Sequence, residues 1–348
     1  MASIAPVIRP SEISSMPTCI CWDYQESTLQ KVVEWAKFFF VSLVCYPICA
    51  INRFFQRLIG TTVNPIDPLP PLSIDRISQE LASFDNTSVR GQINGIYITT
   101  NETNLTEARR LFDEHPRLGP ETQTIHIGCA SWHNFDLMWA RRSTYGLIID
   151  FNPKNAEFIN TTIAMIRVCA SRDAFTQAMK SYLNSLQGPE RALFFHPDQR
   201  GLPTDRVELE LSREGSWLQT EESYLYIKEQ LVSTGRLTAI TEDITSFEKF
   251  SEIRRVLDRE GIALDTVYLS NICNFMETPS KKSAFVKSVK QLLQPNTIFI
   301  NCPKLRVPNS LNTTILEQAP LLGRTILQRS YDTEQLFEKL NVARGLLN

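Results

Sequence analysis

Gly128, Asp150, Asp243, Asn271 and Asn301 are the residues on which chemistry could rest, because each closes or closely follows a short apolar run rich in β-branched residues. Thr124-Ile125-His126-Ile127 runs into Gly128, and Tyr145-Gly146-Leu147-Ile148-Ile149 runs into Asp150. Runs of this kind, bounded by glycine or polar residues, read as buried strands. Between them, residues 134–142 carry apolar side chains at helical spacing. Strand, glycine turn, helix, strand and an acid roughly 20 residues past the glycine is the order of a nucleotide-binding βαβ unit. The glycine lets backbone approach a ligand, and the carboxylate can hold a ribose diol. In a mostly parallel sheet, ligands sit outside the carboxyl ends of the strands, so the five residues would share one rim. Glycine, acid, acid and amide are what an adenosine-containing ligand would meet there. The full G-x-G-x-x-G is absent, since Cys129-Ala130-Ser131-Trp132 follows Gly128. No G-x-x-x-x-G-K-[ST] occurs, which excludes a P-loop cradle.

Other groups with chemical potential are few. Of the four histidines, His126 lies inside the first strand and is expected to be a satisfied core residue. His133 lies just past it, near the expected cleft mouth, where an imidazole could serve as a general base at neutral pH. The eight cysteines are scattered without a C-x-x-C pair, which suits buried free thiols in a reducing compartment and gives no metal set. Cys129 has no base placed beside it by the sequence.

These residues need a scaffold, and the chain supplies strands alternating with helices. Helices are expected at 73–81 with Ser73 as cap, at 105–112, and after Asn152-Pro153, a good N-cap followed by a preferred first helical residue. Residues 173–186 form another, and Ser246 caps one closed by Gly261. Residues 89–100, with Ile93, Ile96 and Ile98, read as an exposed strand or a strand-like arm. Strands follow at 237–244, ending on an acid, at 264–269 and at 296–301, with 325–327 finishing the sheet. This order calls for an α/β, Rossmann-like, doubly wound and mostly parallel sheet with helices on both faces, plus an N-terminal helical extension. Residues 188–217, with Phe194-Phe195-His196-Pro197 and Gly201-Leu202-Pro203, read as an insertion or lid.

The chain has 348 residues, of which 43% are hydrophobic and 21% charged, the composition of a soluble globular protein. A net charge of -2 and the absence of a basic run with interleaved aromatics argue against nucleic acid as a partner. Residues 1–27 are rich in proline and serine and are expected to be disordered. Residues 28–60 contain the uncharged run 38–51, with Lys31, Glu34 and Lys37 before it and Arg53 and Arg57 after. A span needs roughly 20 apolar residues, and Pro47 would kink it. The segment is therefore read as a membrane-surface anchor, as a helix covering an apolar groove, or, least favoured, as a span. Pro65, Pro68, Pro70 and Pro71 make 61–72 a stiff linker, and 73–348 the main domain.

The spacing of Gly128, Asp150 and Asp243 resembles that of class I S-adenosylmethionine-dependent methyltransferases. More narrowly, the chain is similar to an uncharacterised group of bacterial proteins built on that Rossmann-like fold. The shared features are Asn101-Glu102, Gly128 with Asn134-Phe135, Asp150 with Asn155, Arg172 with Phe175, and Tyr268-Leu269-Ser270-Asn271. The resemblance covers about residues 73–330 and no part of the extension. It implies an S-adenosylmethionine cleft lined by Gly128, Asn134, Asp150, Asp243 and Asn271, and methyl transfer to an acceptor it does not name. It designates no catalytic residue. Two features depart from the pattern: the turn keeps only Gly128, and Ser270-Asn271-Ile272-Cys273 stands where amino-group methyltransferases carry Asn-Pro-Pro-Tyr. The alternative is a catalytically inactive protein of the same fold, acting as a membrane-associated binding or interaction module through residues 28–60. A nicotinamide enzyme is disfavoured by the missing second glycine and the missing Tyr-x-x-x-Lys. The expected location is cytoplasmic, peripheral or anchored at a membrane.

Overall fold

The computed structural model describes residues 74–86, 88, 95–100, 102–103, 105, 116–195, 202–270, 272, 276, 278–294, 296–301 and 312–313. The stretches 1–27, 28–60 and 61–72 lie outside these residues, as do Asn101, Asn271 and 325–327. The described residues all fall in one unit of the chain, Asn64–Asn348.

Five strands, β1 (Thr124–Gly128), β2 (Tyr145–Asp150), β3 (Leu237–Thr241), β4 (Ala263–Ser270) and β5 (Ile298–Asn301), form one sheet. Every pairing is parallel and the order is β3-β2-β1-β4-β5. The chain winds outward from β1 to β3, then returns to the other side of β1 to lay down β4 and β5. The reversal leaves a switch point between β1 and β4, which is the Rossmann-like arrangement. β1 is buried throughout and β2 at every residue but Asp150, as expected where helices cover both faces of a parallel sheet. A separate two-residue parallel pairing joins Glu102–Thr103 to Asn312–Thr313.

Among the described residues the helices are α1 (Arg76–Ala82), α2 (His133–Arg141), α3 (Pro153–Val168), α4 (Arg172–Ser185), α5 (Gly188–Ala192), α6 (Pro203–Ser212), α7 (Glu221–Tyr226, running on as a π-helix over Ile227–Val232), α8 (Phe247–Glu260) and α9 (Pro279–Leu292). Helices α1, α8 and α9 contribute to the core on one face, with Ile77, Phe250, Ile253, Phe285 and Val289 against Ile125, Leu147 and Leu264. On the other face α2 and α3 lie against the sheet. There Trp217 is fully buried, edge-on to Trp132 (5.6 Å between ring centroids), Phe135 (4.9 Å) and Phe175 (5.3 Å). Gly146 in β2 admits this face's close packing, since a Cβ there would stand 2.5 Å from Met138 Sδ.

Local chemistry explains several boundaries. Asn152 Oδ1 accepts from the backbone N–H of Lys154, with Pro153 opening α3. Asp75, rather than Ser73, caps α1 through the N–H groups of Ile77 and Ser78. The outer edge of β3 is closed by a short segment, since Asn86 N–H donates to Thr241 O and Asp85 Oδ1 accepts from Thr241 N–H. Ile96 and Ile98 do not mark an exposed strand. Residues 95–100 are irregular, with Ile96 and Ile98 buried. Their backbone is bonded to Leu193 O, Trp132 N and the Asn155 side chain. Among the described residues no helix is long and apolar enough to cross a membrane.

Candidate functional site

Gly128, Asp150 and Asp243 come to one rim because they end or follow adjacent parallel strands. Gly128 pairs with Ile148 of β2, Asp150 pairs with Thr241 of β3, and Glu242 N–H donates to Asp150 O at 3.0 Å. Asn271 directly follows β4, but its own placement is outside the described residues. Asn301 is the last residue of β5, and its side chain is likewise not described.

The turn after β1 is built around Asn134. Its side chain is fully buried, and its Nδ2 donates to the carbonyls of Cys129, Ala130 and Ser131 at 3.0, 3.1 and 2.8 Å. Its Oδ1 lies 2.9 Å from His126 Nε2, and His126 Nδ1 lies 2.7 Å from Thr266 Oγ1. Burial lowers the His126 pKa to about 4, so the ring is neutral and both nitrogens are engaged. A Cβ at Gly128 would stand 1.9 Å from Asn134 Oδ1. The close approach that makes residue 128 a glycine is thus made by Asn134, from inside the chain.

Ala130 occupies the second glycine position of a G-x-G-x-x-G turn and has φ 59°. An L-residue in that left-handed region costs about 1–2 kcal/mol. We expect Ala130→Gly to raise the urea midpoint by an amount equivalent to about 1 kcal/mol, since the turn is already shaped for glycine. An unchanged or lower midpoint would show that the Ala130 methyl group packs well enough to offset the strain.

Asp150 accepts hydrogen bonds from the Asn152 N–H at 2.7 Å, from the Asn155 side chain and from the Ala130 N–H. Burial nevertheless outweighs these bonds and raises its pKa to about 6. The same burial, with Asp150 nearby, pushes the Cys129 thiol well up, so Cys129 stays protonated. Phe151 follows Asp150 and is 45% exposed, a flat apolar surface beside the carboxylate. Asp243 is half-buried, and its Oδ1 accepts from both the N–H and the hydroxyl of Thr245 at 2.8 Å, within its own turn. Its neighbour Glu242, which no sequence motif singles out, is buried, with burial raising its pKa and Oε2 lacking a partner among the described residues.

A second polar cluster adjoins the switch point. His133 opens α2, with Nδ1 2.8 Å from Asp136 Oδ2. Asp136 also accepts from Arg213 and from the Trp217 N–H at 2.8 Å. Arg213 pairs in turn with Glu210, whose Oε2 accepts from Ser216 Oγ at 2.6 Å. Burial alone would raise the Asp136 pKa, but Arg213 and His133 hold it below the ordinary carboxylate value. Burial, with the Asp136 charge, raises that of Glu210. The spacing His133-x-x-Asp136 was visible in the sequence, but Glu210 and Arg213 reach the pair only through the fold. They belong to the stretch 188–217, of which α6 and Trp217 are packed into the domain.

Fold and rim together define a Rossmann-like α/β protein with acids at the ends of β2 and β3. Residues 97–187 and 200–301 match the model of a domain of unknown function (DUF7790), and the chain belongs to that family. No curated protein matches it.

Proposed function

We propose that the carboxyl rim of the sheet binds S-adenosylmethionine and that the protein is a methyltransferase-like enzyme acting on an unidentified acceptor. The observation that carries this reading is geometric: Asp150, a carboxylate at the end of β2, stands on one rim with Gly128 and Asp243. A half-buried acid with no cationic partner among the described residues costs stability, and such costs concentrate at functional sites. The residues fit the ribose end of the ligand: Asp150 for the diol, with the half-exposed Phe151 ring beside it. When bound, S-adenosylmethionine supplies an electrophilic methyl group on sulfonium. The protein's part is to position the acceptor and exclude water.

Calorimetric titration of the full chain with S-adenosylmethionine and with NAD tests the proposal. Binding of the first and not the second is expected, with affinity reduced at least about tenfold, or about 1.4 kcal/mol, in Asp150→Asn. The same variant is expected to be more stable than the parent at pH 8. The folded pKa of Asp150, about 6, lies above its ordinary 3.8, so the folded state holds that proton more tightly. Its charge therefore costs stability fully above pH 6 and not at all below about pH 4. The gain in Asp150→Asn should shrink as pH falls across that window in thermal unfolding. Lost binding with unchanged stability would sink the argument from burial.

A second reading is favoured by Asn134, which fills the space beside Gly128: a catalytically silent member of the fold that docks at a membrane surface through residues 28–60. Silence with both ligands supports it, as does liposome pelleting that disappears when residues 1–60 are removed.

A further inference from the structure

We propose that His133, fixed in one tautomer by Asp136, is a proton acceptor at the switch point, taking through Nε2 the proton of an amine or hydroxyl presented by a bound substrate. This role rests on the methyl-transfer reading above. The geometry comes from three observations. First, Asp136 is held ionised by Arg213 and accepts from the Trp217 N–H, so it has no proton to give. In the neutral ring the hydrogen of the His133–Asp136 bond must then sit on Nδ1, which leaves Nε2 bare. Second, Nε2 is buried and meets no hydrogen-bond partner among the described residues, and the whole residue is 4% exposed. Buried polar atoms without partners are exceptions, and leaving one unmade costs about 1–3 kcal/mol. A ligand donor would recover that cost.

Third, the ring stands where ligands enter such sheets. His133 opens the helix that follows β1, and its ring lies edge-on to Tyr268 of β4, with centroids 5.2 Å apart. It therefore spans the two strands between which the chain reverses. Nδ1 faces Asp136 within α2, and Nε2 occupies the opposite edge of the ring. By contrast, His126 has both nitrogens bonded and can take nothing from a ligand.

An acceptor N–H or O–H that gains a methyl group must lose its proton. As the new N–C or O–C bond forms, the S–CH3 bond of the sulfonium would break and its electron pair leave with sulfur as a neutral thioether. The acceptor's proton passes to Nε2, Nδ1 keeps its hydrogen and its bond to Asp136, and the imidazolium formed is neutralised by the Asp136 carboxylate until it returns the proton to water. Asp136 is then a positioning residue and His133 the catalytic one.

The test uses the full chain labelled with ¹⁵N in its histidine rings, together with diethyl pyrocarbonate, which acylates bare imidazole nitrogens, and peptide mapping. The expected spectrum shows His133, assigned with His133→Gln, protonated on Nδ1 and bare on Nε2. Asp136→Asn is expected to mix the tautomers, a change that packing alone would not produce. His133 should be acylated at least tenfold faster than His126, and saturating S-adenosylmethionine should slow it at least tenfold. A proton found on Nε2 in the parent chain, or acylation no faster than at His126, overturns the proposal. The expected tautomer and reactivity, with neither protection nor heat from S-adenosylmethionine, would establish the bare nitrogen but overturn the methyl-transfer reading, and with it the acceptor proton assigned to Nε2.

Discussion

Arg141→Ala is expected to cost the domain about 3–5 kcal/mol, read as a fall in the urea midpoint. Arg141 Nε donates to Asp265 Oδ2 and a terminal nitrogen donates to Oδ1, both at 2.8 Å, with the two side chains 2% and 4% exposed. This bidentate pair ties the last turn of α2 to β4, and Arg141 also donates to Pro116 O at 3.2 Å. The pair itself contributes little net stability, because taking both charges out of water costs nearly what their attraction returns. Removing one partner is different, since it leaves the other buried and uncompensated. Arg141→Met combined with Asp265→Leu should therefore lose less than half of what Arg141→Ala loses. Equal losses would mean that packing around Arg141, rather than the stranded carboxylate, sets the cost.

Gly128→Ala should destabilise the fold by about 2–4 kcal/mol, from overpacking together with polar groups left unpaired. The added carbon would stand 1.9 Å from Asn134 Oδ1 and 2.8 Å from His126 Nε2. Asn134 cannot withdraw without releasing three carbonyls, and His126 would lose its partner. Thermal unfolding and ligand titration on the same variant separate two reasons for a glycine here. A glycine kept for the chain's own packing predicts a large drop in melting temperature. A glycine kept only for ligand approach predicts an ordinary melting curve with binding lost.

What the sequence made legible was whatever one element could announce by itself. The strands ending at Gly128 and Asp150 show as β-branched runs, and Asn152-Pro153 announces a helix start. Once the strands are parallel and adjacent, their ends must share a rim, so the joint placement of Gly128, Asp150 and Asp243 was recoverable. Asn134 was harder to interpret. Its residue type suggested a ligand-facing amide, yet its hydrogens are spent on carbonyls three to five positions earlier. Ile96 and Ile98 suggested a strand, yet burial in the segment does not alternate: residues 95, 96, 98 and 99 are all buried, held by bonds to Leu193 O, Trp132 N and the Asn155 side chain. Trp217 and Arg213 sit in a stretch without helical or strand period. Their burial is decided by Trp132, Phe175 and Asp136, far away in the chain. No local pattern carries that information.

The strand order also has a consequence for how the molecule is made. β1 lies at the middle of the sheet, but one of its two ladders is filled only by residues 263–270. While the ribosome is still translating the preceding helices, β1 therefore presents an open row of backbone donors and acceptors on a nearly finished three-stranded half. Such long-range closure is slow, and an unpaired interior edge invites pairing with a second nascent chain. Truncations that stop short of β4 should accumulate as aggregates, and those that include β5 should release monomer.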